Sequence, residues 1–291
     1  MIFIVGATGL IGKRLYDLCK EQNLNVLGTS TTGQQDGIEK YCIGDDDPER
    51  LLKYFEPEKK QENVAVITGA ITNLNECYKN RALSEKVNVV GTKLLIEKLH
   101  QAGIKIVFLS SDCVFDGKEG HYTEESPTNP VCVYGEQKEA IEKYILENIS
   151  DGLIYRISKQ YDLSCEGKHL FADLYNGAKK GKIRCIEGLV FNPTYVGDTA
   201  ECILSGIDRG LIGLYNVAAP ESYSRYNLAK EMAKALNVDE TTEITCEPLN
   251  SFSFPEDRPL NLSLDTSKIE SVIEIEFKKA LSMIETYVDN I

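Results

Sequence analysis

The 291-residue chain has only three histidines, His100, His121 and His169, set far apart, and its nine cysteines include no Cys-x-x-Cys pair. Structural zinc sites draw on Cys and His clustered at short spacings, so that class is excluded and no metal ligand is assigned. The cysteines, at 19, 42, 77, 113, 132, 165, 185, 202 and 246, are odd in number and scattered. They read as small core hydrophobes in a reducing cytoplasm rather than as a disulfide framework. No run approaches the roughly 18 apolar residues that a bilayer span needs. The apolar start MIFIVGATGLIG has no basic segment before it and is interrupted by glycines, so it is not read as a signal peptide. Positive charge is scarce as well: 32 Lys and Arg against 45 Asp and Glu leave a net charge of −13. Nucleic-acid backbones and anionic membrane surfaces need concentrated basic charge, and both are excluded as partners. The acidic clusters at 45–47 and 124–125 read as solvated surface rather than as magnesium sites. The expectation is a cytoplasmic monomer or homodimer acting on a small molecule.

What is present is a globular composition, 42% hydrophobic and 26% charged, in a chain long enough to bury a large core. Short Val/Ile-rich runs alternate with helical patterns through the first half. IFIV (2–5), LNVLGT (24–29), NVAVITGA (63–70), KIVFLSS (105–111) and GLIYRIS (152–158) read as strands buried on both faces. The segments between them, including PERLLKYFEP (48–57) and residues 84–103, read as helices. Such alternation predicts an α/β fold, a doubly wound parallel (Rossmann) sheet with right-handed crossovers. The expected division is a nucleotide-binding domain over 1–158, to which 186–236 largely returns, and a smaller α/β substrate-binding lobe over 159–185 and 237–291.

GATGLIG places Gly6, Gly9 and Gly12 directly after the first strand and at the start of a helix. There, backbone amides and the positive helix end can meet a dinucleotide pyrophosphate where no Cβ obstructs them. At the end of the second strand an acid would select NAD through the adenosine ribose. This chain has Thr29, Ser30, Thr31 and Thr32 instead. Hydroxyls can donate to a 2′-phosphate, and Lys13 and Arg14 stand within reach as cations. NADP(H) is therefore favoured, with NAD(H) possible.

Five Tyr-x-x-x-Lys pairs occur: Tyr16/Lys20, Tyr134/Lys138, Tyr155/Lys159, Tyr175/Lys179 and Tyr226/Lys230. Position separates them. Ser110, Ser111 and Asp112 end a predicted strand, where ligands bind in open parallel sheets, and Ser111 precedes Tyr134 by 23 residues across a proline-bearing loop. On a helix, positions i and i+4 share a face, so the Lys138 ammonium is expected near the Tyr134 phenol, lowering its pKa towards neutrality. Such a phenol can give a proton to a carbonyl oxygen, or take one from an alcohol, while a serine hydroxyl fixes that oxygen.

GATGLIG, VNVVGT (87–92), SSDCVFDG, the PTNP loop with YGEQK, NPTYVGD (192–198) and RPLNLSLDTSK (258–268) occur in an order that resembles the extended short-chain dehydrogenase/reductases. The similarity covers nearly the whole chain and is greatest to their dTDP-4-dehydrorhamnose reductase (RmlD-like) branch. The resemblance implies a catalytic set of Ser111, Tyr134 and Lys138, with Lys138 also holding the nicotinamide ribose. It implies a pyrophosphate turn of Gly6, Thr8, Gly9, Leu10, Ile11 and Gly12, and cofactor contacts at Gly69 and Ala70. Asn88, Asp112 and Arg258 are implied on the side of the sugar nucleotide, Arg258 as a candidate for its phosphates. Asp198 is expected to hold the fold. The chain departs from the family where Cys113 replaces a tyrosine and Thr68-Gly69-Ala70 replaces Asn-Ala-Ala. Three functions follow from the likeness. The first is NADPH-dependent reduction of the C4 keto group of a dTDP-4-dehydro-6-deoxyhexose, with Tyr134 as proton donor. The second is another sugar-nucleotide oxidoreductase or epimerase. The third is a non-catalytic NADP-binding regulatory subunit, because the regulatory subunit of methionine adenosyltransferase resembles the same branch. A 4,6-dehydratase is disfavoured, since Cys113 stands where such an enzyme would carry a glutamate.

Overall fold

The computed structural model describes residues 1–33, 36–55, 63–164 and 167–291; Cys165 and the end of the 48–57 helical pattern lie outside them. In chain order the elements are β1 (Ile2–Val5), α1 (Leu10–Glu21), β2 (Val26–Ser30), β3 (Ile38–Lys40), β4 (Val64–Ile67), α2 (Leu74–Lys79), α3 (Arg81–Glu85), α4 (Thr92–Gln101), β5 (Lys105–Ser111), α5 (Val133–Asn148) and β6 (Leu153–Ile157). The second half adds β7 (Gln160–Tyr161), α6 (Leu170–Lys179), β8 (Lys182–Ile186), β9 (Val190–Phe191), β10 (Thr194–Tyr195), α7 (Val196–Asp208), β11 (Gly213–Val217), β12 (Tyr223–Ser224), α8 (Arg225–Ala235), β13 (Glu243–Glu247), α9 (Ser267–Glu270) and α10 (Ala280–Asp289).

Seven strands form one parallel sheet in the order β11-β6-β5-β4-β1-β2-β3. The chain starts at β1, winds outward through β2 and β3, then crosses back to β4 and winds the other way. The reversal lies between β1 and β4, where an open sheet parts its loops and forms a crevice. Both faces are covered, which is why the strand sequences do not alternate with polar residues. Along β1, Phe3 and Val5 enter a core with Leu95, Leu99 and Ile141, while Ile4 enters the opposite core with Leu15, Ala200 and Ile203.

A third core gathers Tyr161, Phe171, Leu174, Leu228, Met232, Ile284 and Tyr287 around the β8–β13 pair, forming the smaller α/β body. The segment 186–236 divides between the bodies: α7 and β11 return to the large sheet, whereas α8 packs in the smaller core. Conversely Ile269, Ile273 and Phe277, from the stretch expected in the smaller lobe, pack on the large sheet. An amphipathic pattern announces that a helix has a buried face but not which core covers it. Two further differences are local. PERLLKY forms a 3-10 helix over Pro48–Tyr54, and residues Lys86–Gly91 wind as a π-helix ahead of α4. Among the described residues no helix is long and apolar enough to cross a membrane, and no cluster of His, Cys, Asp and Glu is placed to hold a metal ion.

Candidate active site

At the carboxyl ends of β1 and β4, Gly6 takes a φ of +95° and its carbonyl faces Gly12. A Cβ on Gly12 would stand 2.2 Å from the Gly6 oxygen, and one on Gly6 would stand 2.7 Å from Gly69 Cα. Only glycine fits at such contacts with backbone. Thr68 locks the turn from β4, its hydroxyl donating to the carbonyls of Val5 at 3.0 Å and Gly6 at 3.1 Å. Beyond the turn, Gly9 caps α1 without a side-chain bond, and the first turn of α1 carries no acid. Its N-terminal amides and positive dipole end are thus presented to the crevice, the arrangement a pyrophosphate requires. Thr8, Leu10, Ile11, Gly69 and Ala70 lie on the segments that frame this cradle.

The adenosine end is less uniform. The Thr29 carbonyl accepts from the amides of Gly6 and Ala7, and its fully buried hydroxyl has no hydrogen-bond partner among the described residues. A glycine cradle beside an unsatisfied buried hydroxyl fits a dinucleotide. Ser30 Oγ accepts from Gly33 N at 2.8 Å and is 3.4 Å from Thr32 Oγ1. Lys13 and Arg14, expected as cations for a 2′-phosphate, instead pair with Asp17 and Glu21 of their own helix, both at 2.8 Å. Acids one or two turns along a helix are nearer partners than a ligand at its start.

The second half of the site joins β5 to α5. Ser111 ends β5 and opens a 3-10 turn over Asp112–Val114; its hydroxyl donates to Asp112 Oδ1 at 3.0 Å and accepts from Cys113 N. Asp112 Oδ2 accepts from Ser158 Oγ at 3.0 Å, and burial raises the Asp112 pKa above the ordinary carboxylate range. Tyr134 and Lys138 lie one turn apart near the start of α5, both buried. The Lys138 ammonium is 5.7 Å from the Tyr134 ring centroid, 4.5 Å from that of Phe108, and donates to the Leu109 carbonyl at 2.6 Å.

The helical pairs Tyr16/Lys20, Tyr175/Lys179 and Tyr226/Lys230 have the same lysine-over-ring geometry, with Nζ 5.5, 5.7 and 4.3 Å from the ring centroids. Lys20, Lys179 and Lys230 are exposed, whereas Lys138 is buried, and its partner Tyr134 lies beside the Ser111 hydroxyl. Tyr155 is a core residue on β6. Spacing produces the contact; burial distinguishes Tyr134.

The charge states differ from the sequence expectation. Burial, together with Cys113 and Asp112, pushes the Tyr134 phenol well above its ordinary pKa, although the neighbouring Ser111 hydroxyl opposes the shift. Burial pulls Lys138 down to about 8, against the attraction of Glu142. The phenol is therefore kept protonated at neutral pH rather than poised to ionise. A neighbouring cation favours phenolate only if it outweighs desolvation, and this site is too dry for that.

Behind the set lies a buried polar frame. Arg156 on β6 grips Glu142 of α5, with Nη2–Oε2 at 2.7 Å and Nε–Oε1 at 3.0 Å, and Ser110 Oγ donates to the same carboxylate. Asn88 is enclosed: its side chain bonds both backbone groups of Ile71 at 2.8 Å and donates to Gln137 Oε1 at 2.8 Å, so it braces α5 rather than facing a ligand. Arg258 is occupied by Glu256 at 3.0 Å and by Asn75. The other Glu256 oxygen accepts from Val133 N at 2.8 Å, fastening the 252–258 loop over the start of α5. Glu256, Gln137 and Thr68 escaped the sequence reading because their partners lie 123, 49 and 62 to 63 residues away.

The chain has counterparts in sequence and in fold. Methionine adenosyltransferase 2 subunit beta from Xenopus tropicalis is 28% identical over 281 residues, covering 92% of this chain and 81% of that protein. A dTDP-4-dehydrorhamnose reductase from Mycobacterium tuberculosis is 26% identical over 265 residues, covering 89% and 82%. In fold, the chain matches a dTDP-4-dehydrorhamnose reductase from Bacillus anthracis, solved in complex with NADP, with a TM-score of 0.85 at 20% identity over 100% of this chain and 99% of that one. The model of the RmlD substrate binding domain spans residues 1–291, and the chain belongs to that family.

Proposed function

We propose that the chain is an NAD(P)H-dependent oxidoreductase acting on a nucleotide sugar, reducing the C4 keto group of a dTDP-4-dehydro-6-deoxyhexose. The observation that carries this reading is the arrangement at the start of α5, where buried Tyr134 lies one turn from buried Lys138 and next to the end of β5 that carries Ser111. A buried phenol held in its acid form, with the Ser111 hydroxyl beside it, is suited to giving a proton to a carbonyl oxygen. The glycine cradle, the uncapped start of α1 and the Thr29 hydroxyl would hold the dinucleotide, with Ser30, Gly69, Ala70 and Lys138 beside it. A reduced nicotinamide bound there supplies the hydride. Ser111 fixes the substrate oxygen, Tyr134 donates its proton to it, and Lys138 keeps a positive charge behind the phenol. Asp112 and Arg258 lie towards the sugar nucleotide, Arg258 meeting a phosphate once it exchanges Glu256 for it. NADP is the favoured form, supported by the threonine and serine hydroxyls at the end of β2 and by the relative solved with NADP.

The test mixes the purified protein with NADPH and a panel of dTDP-4-keto-6-deoxy sugars and follows loss of nicotinamide absorbance. Consumption with at least one sugar is expected; tight NADPH binding without consumption by any of them would sink the reading. The second reading, a non-catalytic subunit of a methionine adenosyltransferase, is favoured by the 28% identical relative. Stable co-elution with a methionine adenosyltransferase catalytic chain, together with silence in the NADPH assay, is the result that would establish it instead.

A further inference from the structure

Three sulfurs surround the buried end of Tyr134: Cys77, Cys113 and Cys132 share one apolar cluster with it. They are not equivalent. Cys77 is fully buried, and its S–H is directed to the Ile71 carbonyl at 3.2 Å. Cys132 is buried and occupies the N-cap of α5, a helix of 16 residues whose positive end favours a thiolate. Cys113, in the 3-10 turn after Ser111, is only half-buried and packs against the cluster that holds Cys132. Each thiol acts on the other, holding Cys132 below the usual thiol range and, with burial, Cys113 above it.

We propose that Cys113 and Cys132 form a reversible thiol–disulfide site open to low-molecular-weight disulfides of the glutathione type, with Cys113 the entry thiol and Cys132 the resolving one. In the first step Cys113 sulfur attacks the small disulfide R–S–S–R, its proton passing through Cys132 to the departing thiol, and a Cys113–S–S–R bond forms. In the second step Cys132 sulfur attacks Cys113 sulfur and expels the second R–S⁻, which takes the remaining proton. Two protein thiols are oxidised, one small disulfide is reduced to two thiols, and no other reactant is needed. The bond ties the turn that carries Ser111 and Asp112 to the helix that carries Tyr134. Each cysteine lies two residues from a member of the candidate catalytic set. Oxidation at this pair therefore acts on the relation between the two halves of the site, independently of which sugar the site accepts.

Lys118 separates the two cysteines, so tryptic cleavage there leaves the Cys113 and Cys132 peptides joined only by the disulfide. The full-length protein is incubated with oxidised glutathione, alkylated and mapped by mass spectrometry, with exposed Cys246 as the internal control for the reagent. Loss of both Cys113 and Cys132 from the alkylated fraction, a linked peptide pair, and full recovery with dithiothreitol are expected. Cys132→Ser should stop the reaction at a glutathione adduct on Cys113, and Cys77→Ser should leave the link intact. Glutathione on Cys246 with Cys113 and Cys132 unlinked in the wild-type chain would overturn the proposal, as would a link through Cys77. Because the readout is a covalent mass, it stands or falls separately from reductase activity.

Discussion

At the scale of single residues, the site depends on what burial does to two titratable groups. Tyr134 gains acidity from no strong source, since the cation one turn away is itself desolvated. In the proposed reaction it is the proton donor, and Tyr134→Phe should lower turnover roughly 10²–10⁴-fold. NADPH affinity should change little, because in the proposed reaction the lost hydroxyl serves the sugar oxygen and not the dinucleotide; a comparable loss of affinity, seen by fluorescence titration, would move Tyr134 out of the chemistry. Lys138 gives the pH dependence. Its pKa of about 8 lies below the ordinary 10.5, so it is charged below pH 8 and loses its proton as pH rises through that value. The phenol stays protonated across the same window because its shift is upward. The profile of kcat/KM should therefore fall above about pH 8 as Lys138 loses its proton. In Lys138→Met the residual rate should be low and flat between pH 7 and 9. A limb at the same pH in that variant would assign it to another group.

At the scale of elements, the turn after Ser111 and the helix that carries Tyr134 meet at a close approach of backbone. Gly135, in the first turn of α5, has no room for a Cβ: it would stand 2.0 Å from the Cys113 carbonyl oxygen and 2.9 Å from Pro130 Cβ. The first of these is backbone and cannot swing aside. Gly135→Ala should push α5 away from the turn after β5, at a cost of about 1–3 kcal/mol. Urea unfolding followed by circular dichroism reads that loss, and turnover should fall with it, because Ser111 and Tyr134 lie on the parts that separate. Unchanged stability and turnover would mean that the contact yields without consequence. This also explains why the site was only partly legible. The strand ends, the glycine turn and the Tyr134 helix follow from local pattern and order along the chain. What the helix start rests on does not: Cys113, Pro130 and Glu256 meet it through the tertiary fold. Nor does spacing alone reveal charge state. The expectation that Lys138 acidifies Tyr134 came from helix geometry, and the geometry is as expected, but desolvation of both groups outweighs it.

At the scale of the whole molecule, the winding of the large sheet was readable because strands buried on both faces leave continuous apolar runs. The short β3 and the mixed membership of the second body were not, because three-residue strands carry little pattern and amphipathic helices do not name their cores. Asp198 is one joint between the bodies. Buried on α7, which packs on the large sheet, its carboxylate accepts from Lys278 N at 2.7 Å and Lys278 Nζ at 3.0 Å, just ahead of α10 in the smaller core. Asp198→Ala removes both acceptors and strands a backbone N–H, which should cost about 2–4 kcal/mol. The urea midpoint should fall with little change in slope, since the surface exposed on unfolding is nearly the same. The candidate catalytic groups are Ser111, Tyr134 and Lys138, none of which bonds Asp198. Turnover per folded molecule at low temperature should accordingly stay within about twofold of wild type. A large loss of turnover with stability intact would mean that Asp198 serves the chemistry, and that the joint between the two bodies lies elsewhere.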